Sequence, residues 1–217
     1  MSDSDSFIQE VSEEVRRDKL FRLMKRWGWI PILLVILLVG GAAFNEWQKA
    51  RNQTEAQAFG DEILAALQDN EPGARGDALD AISAQGDQGA LLALLASGEA
   101  VNNAERGKAT DALRALAADE TLGAPYRQLA ELELILLQSD TLAPAERIAR
   151  LEPLAIAGAP FRLLAEEQIA IAQIEAGDIE AAISRLQAIM IDQEATQALR
   201  RRASQLIVAL GGELVPA

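Results

Sequence analysis

Glu131, Glu133 and Glu166 are the side chains of this chain best suited to chemistry, because paired carboxylates can act as a general acid and a general base. Their spacing is that of exposed helix faces, and nothing in the sequence makes two of them converge on one cleft. Cysteine and histidine are both absent. That removes thiol nucleophiles, disulfides, imidazole acid–base chemistry and thiolate or imidazole metal sites together. Lys, Ser, Thr and one Tyr remain, without a phosphate-binding Gly loop, a G-x-S-x-G elbow or an S-x-x-K motif. No catalytic, cofactor-binding or metal-binding residue is assigned, and neither an enzyme nor a small-molecule substrate is expected.

The elements around these residues begin with a membrane signal. Trp27 to Phe44 is an 18-residue stretch without an acid, amide or base, centred on Ile30–Val39, about the minimum for a helical span. Arg16, Arg17, Lys19, Arg22, Lys25 and Arg26 precede it, and only Lys49 and Arg51 follow closely. Basic residues stay on the cytoplasmic side, so the N-terminus is expected inside and the bulk of the chain outside. Trp27, Trp29 and Trp47 mark the two ends, where amphipathic rings meet headgroups. Gly41-Ala42-Ala43 resembles a cleavage site, but a preceding segment with six acids is too long and acidic for a signal peptide, which favours a retained anchor. Residues 1–26 form a cytoplasmic amphipathic segment in which Phe7, Ile8, Val11 and Val15 recur at helical spacing; a partner-docking helix and a charged tail both remain open.

The acidity lies beyond the anchor. Residues 27–217 carry 27 acids against 14 bases, within a net charge of −13, so a nucleic-acid partner is not expected. Alanine and leucine dominate, and Gly or Pro recurs every 15 to 20 residues as between short antiparallel helices. The pattern predicts helices over 45–69, 75–84, 88–101, 105–118, 125–138, 144–156, 160–175, 179–190 and 194–210, and no strand.

A repeat runs through the later helices. Gly123-Ala124-Pro125-Tyr126-Arg127 recurs 35 residues on as Gly158-Ala159-Pro160-Phe161-Arg162, followed by Leu129/Leu164, Ala130/Ala165, Glu131/Glu166 and Leu134/Ile169. The aromatic after the proline is expected to pack on the preceding helix pair. A weaker copy starts at Gly89-Ala90, 34 residues before Gly123. Two helices per 34–35 residues is the tetratricopeptide period, here with aliphatics in place of the usual aromatics. Ala170 and Ala182 mark the closest approach within the unit 166–191, and helix 194–210 caps the stack. Its Arg200-Arg201-Arg202 cluster is read as a solvated face, with docking of an acidic surface as the alternative. The expected fold is all-α, with a transmembrane helix at 27–47 and an α-solenoid of divergent tetratricopeptide-like hairpins at 48–217.

The single membrane segment, the stretch Gly89-Ala90-Leu91-Leu92-Ala93-Leu94-Leu95-Ala96 and the turn Ala176-Gly177-Asp178-Ile179-Glu180-Ala181-Ala182 resemble the bacterial ancillary SecYEG translocon subunit family and its tetratricopeptide-like domain. The resemblance covers residues 20–210, mostly as pattern. It implies a single-pass protein of the bacterial inner membrane, with a periplasmic C-terminal domain, beside the Sec translocon. Its partners would be periplasmic chaperones and exported chains, with membrane lipid around the anchor. The longer charged N-terminal segment departs from the family and leaves room for another cytoplasmic partner. A structural accessory subunit of some other inner-membrane complex, respiratory or cell-envelope, is the competing expectation.

Overall fold

The computed structural model describes residues 25–26, 29–69 and 71–214. All regular structure in them is helical: α1 (Trp29–Leu67), α2 (Pro72–Ala81), α3 (Gly86–Asn102), α4 (Arg106–Ala118), α5 (Ala124–Leu137), α6 (Pro144–Leu151), α7 (Arg162–Ala176), α8 (Ile179–Ile191) and α9 (Gln197–Ala209). A 3-10 turn, Glu152–Leu154, extends α6. The helices expected after residue 70 all form, with bounds that differ by a few residues.

The chain divides into two units, 1–61 and 62–217. In the first, the apolar run and the helix expected from residue 45 are one helix, because no Pro follows Pro31 within it and Gly40, Gly41 and Gly60 keep helical backbone. Leu33–Val39, Phe44 and Trp47 are exposed along it. Its local bonds include the Arg51–Glu55 ion pair at 2.8 Å and the Thr54 hydroxyl donating to the Ala50 carbonyl. Among the described residues no helix is long and apolar enough to cross a membrane. The start of the expected span at Trp27 and Gly28, and the amphipathic segment with Phe7, Ile8, Val11 and Val15, lie outside the described residues.

In the second unit the helices pack in chain order as successive hairpins, α2 on α3 through to α8 on α9. Three apolar cores follow one another. Leu94, Ala109, Leu113, Ala130 and Leu134 form the first, Leu132, Ile135, Leu151, Leu154, Ala165 and Ile169 the second, and Ala170, Ala182, Leu186, Leu199, Ala203 and Ile207 the third. Helices α5 and α7 each contribute to two cores, so each is covered on both sides and reads as a broad apolar helix rather than a narrow stripe.

Burial repeats with the hairpins. Leu92, Leu94, Ala96 and Ser97 of α3 correspond to Ala130, Leu132, Leu134 and Ile135 of α5, and to Ala165, Glu167, Ile169 and Ala170 of α7, all of them buried. In the second helix of each pair, Ala109 and Leu113 correspond to Arg147 and Leu151, and to Ala182 and Leu186. The period from the second unit to the third is the expected 35 residues, whereas that from the first to the second is 38, not 34. Gly89 lies inside α3 while Gly123 precedes α5, so the sequence match between them is not a structural one. The extra residues fall between α4 and α5, where Asp119 accepts from the Thr121 backbone and hydroxyl and Leu122 is buried.

The strong sequence copy takes two backbone forms. Pro125 sits in the first turn of α5, where its missing N–H costs nothing, but Pro160 lies in a turn before α7, after Gly158 at φ +83°. Both forms deliver the aromatic as expected: Tyr126 packs on the α3/α4 core and Phe161 on the α5/α6 core. Ala170 and Ala182, fully buried, meet in the third core.

Candidate binding surfaces

Glu131 and Glu166 are part of the frame. Glu131 of α5 accepts from Arg150 of α6 at 2.9 Å, and Glu166 of α7 is paired with Arg185 of α8. Both pairs span 19 residues and lie 35 residues apart, so the strut repeats with the hairpin. Each glutamate is held by a different arginine, and the two belong to successive hairpins rather than to one cleft. Glu133 is half-buried, and desolvation pushes its carboxyl above the ordinary range. A raised carboxyl can mark an acid–base group, but an acid–base pair also needs a second free carboxylate nearby. Among the described residues no three acids are grouped to hold a metal ion.

Arginine struts also tie hairpin to hairpin. Arg147, buried in α6, holds Glu175 of α7 through two bonds of 2.6 and 3.1 Å and donates to the Ser139 carbonyl. Arg202 of α9 grips the buried Glu167 of α7 at 2.7 and 2.6 Å. Arg200 donates to the Asp192 carbonyl at 2.7 Å. Two of the three arginines in the 200–202 cluster therefore bond within the domain, Arg202 while about half exposed, and Arg201 is exposed beside it. Spacing alone did not reveal these partners, since most are about 19, 28 or 35 residues distant.

Among the described residues, cavities open between neighbouring hairpins and between the last hairpin and α9. One, of about 550 Å³, is bounded by Pro160, Phe161 and Leu164 on one side and by Thr196 and Leu199 on the other, with Arg162, Arg202 and Glu194 at its margin. Arg162 is bound to Asp192 at 2.8 Å and to Glu194 at 2.7 Å, which holds the Asp192 carboxyl below its usual range. This groove therefore offers apolar contact between charges already neutralised. The other cavity, of about 540 Å³, lies between α4, α5 and α6 and includes Arg114, Glu131, Gln138 and Arg150. Both have the size and mixed lining of a site for a few side chains of a polypeptide.

Compared with protein-family models, with curated proteins and with solved structures, the chain matches none of them.

Proposed function

We propose that this protein is a single-pass inner-membrane scaffold that presents a periplasmic tetratricopeptide-like domain to other polypeptides, ancillary to the Sec translocon and to chaperoning of exported chains. The observation that carries the reading is the stack of hairpins, the last two in a 35-residue register, with cavities between neighbouring layers of the stack. Repeats of this kind bury their apolar faces only on each other and leave an extended surface for binding chains. The anchor is supported by the exposure of Leu33–Val39 on every side of α1, which water would disfavour and lipid would not. Topology follows from the basic residues before the run. The specific link to the translocon is supported by resemblance of pattern alone.

Photocrosslinking in intact cells from positions along 89–190 tests the proposal. A range of secretory chains trapped there is the expected result. A single stoichiometric partner trapped only through residues 7–44 would instead identify a structural subunit of another inner-membrane complex. Protease added to spheroplasts should digest the repeat domain while sparing an N-terminal tag; the reverse pattern would exclude the proposed topology.

A further inference from the structure

The Glu131–Arg150 and Glu166–Arg185 struts, one in each of two successive hairpins, are equivalent in position but differ in the charge around them. In the later one, Arg185 is held between Glu166 and Glu152, the latter at 3.2 Å and reaching across from the preceding hairpin. In the earlier one, Arg150 bonds Glu131 and the Gln138 amide oxygen, while the burial register puts Arg114 where Glu152 stands in the later strut. Glu152 follows buried Leu151 in the same way that Arg114 follows buried Leu113. A closed acid–base–acid arrangement thus becomes an open one, with Arg114 and Arg150 lining a single cavity of about 540 Å³.

We infer that this cavity binds a carboxylate of a partner polypeptide, which occupies the position that Glu152 fills in the next repeat. The internal copy supplies the template, since a carboxylate accepting from the strut arginine is already built into the fold one repeat later. Arg150 is oriented by Glu131 at 2.9 Å and is about one-quarter exposed, so it is fixed yet reachable. Arg114 is bonded to Asp111 in a solvent-exposed pair at 2.8 Å, an interaction weak enough to be exchanged for an incoming acid. Leu134 and Leu142 give the cavity an apolar side for neighbouring aliphatic side chains. Glu146 also lines it and opposes an incoming acid. The inference rests on the protein-binding reading above and adds to it the chemistry of what is bound.

The probe is a short, fluorescently labelled Ala/Leu peptide carrying paired glutamates, titrated by anisotropy into the full chain in detergent micelles. Three forms are compared: the free acid, the same peptide with glutamine for glutamate, and the C-terminal amide. Loss of a charge-assisted bond should weaken binding about tenfold or more. A loss on Glu→Gln identifies a side-chain carboxylate, and a loss on amidation identifies a chain terminus. Arg114→Glu should rebuild the closed strut and weaken binding by a similar factor; Arg114→Ala should weaken it less, and Glu146→Gln should tighten it. Equal affinity for all three peptides, or unchanged binding by Arg114→Glu, would overturn the inference. Peptide binding that ignores carboxylates would leave the protein-binding reading standing, whereas an absence of polypeptide crosslinks along 89–190 in cells would remove that reading independently of this titration.

Discussion

Arg147 and Glu167 are the charged side chains classed as buried among the described residues, and each is paired with a partner that stays about half exposed, Glu175 and Arg202 respectively. The energetic cost of breaking such a pair depends on which half is left behind. Without Glu175, Arg147 is stranded in low dielectric; without Arg147, Glu175 simply rehydrates. We expect Glu175→Ala to cost about 3 kcal/mol and Arg147→Met about 1, and by the same reasoning Arg202→Ala to cost more than Glu167→Gln. Denaturant unfolding of the four variants checks the order. Glu133 provides a pH signature. Its carboxyl is raised in the folded state by burial, so the folded protein holds this proton more tightly than the unfolded chain does. The stability it contributes is present below the ordinary glutamate range and is lost as pH rises through the raised value. Glu133→Gln should therefore raise the melting temperature at neutral pH and leave it unchanged in acid; an equal gain at both would refute desolvation as the cause.

Helix ends set the turns inside the hairpins and the close of the last helix. Gly177 at φ +87° closes α7, with the Asp178 N–H donating to the Gln173 carbonyl at 2.8 Å and the Gly177 N–H to Ile174 at 3.0 Å. Gly211 closes α9 with the same pair of bonds, to Ile207 and Val208. Such double closure satisfies carbonyls that the helix would otherwise leave open. Ala104 makes the third copy, after α3, at φ 62°, where its Cβ is crowded. Ala104→Gly should stabilise by about 1 kcal/mol and Gly177→Ala should destabilise by a similar amount, read as opposite shifts in thermal midpoint. Gly177 stood out in the sequence as a turn residue, but Ala104 did not, because alanine carries no turn signal and its left-handed backbone is imposed by the helices on either side.

At the scale of the whole repeat domain, the three cores are linked in series through α5 and α7, so damage should spread to neighbours rather than to all elements at once. Leu186 is fully buried in the last core. Leu186→Ala should cost about 3 kcal/mol, and hydrogen exchange should show α8 and α9 losing protection while α3 and α4 keep theirs. Uniform loss across the domain would mean that the cores unfold as one.

The helices, their order and the 35-residue register between the last two hairpins were legible in the sequence, because periodic apolar residues and Pro/Gly punctuation act locally. The ion-pair struts were not: Glu131 and Glu166 are visible as acids, but their arginine partners stand 19 residues away on the next helix, and only packing brings them together. The first register differs from the one the letters suggest for the same reason, since Gly89 and Gly123 match as letters while buried side chains fix the offset at 38. By itself, then, the sequence determined that the chain is helical, repeated, acidic and apolar near its start, all of them properties of near neighbours along the chain. Tertiary structure alone decided which charges are consumed and that Arg114 faces a cavity where the next repeat has a glutamate, because those relations exist only between residues that folding brings into contact.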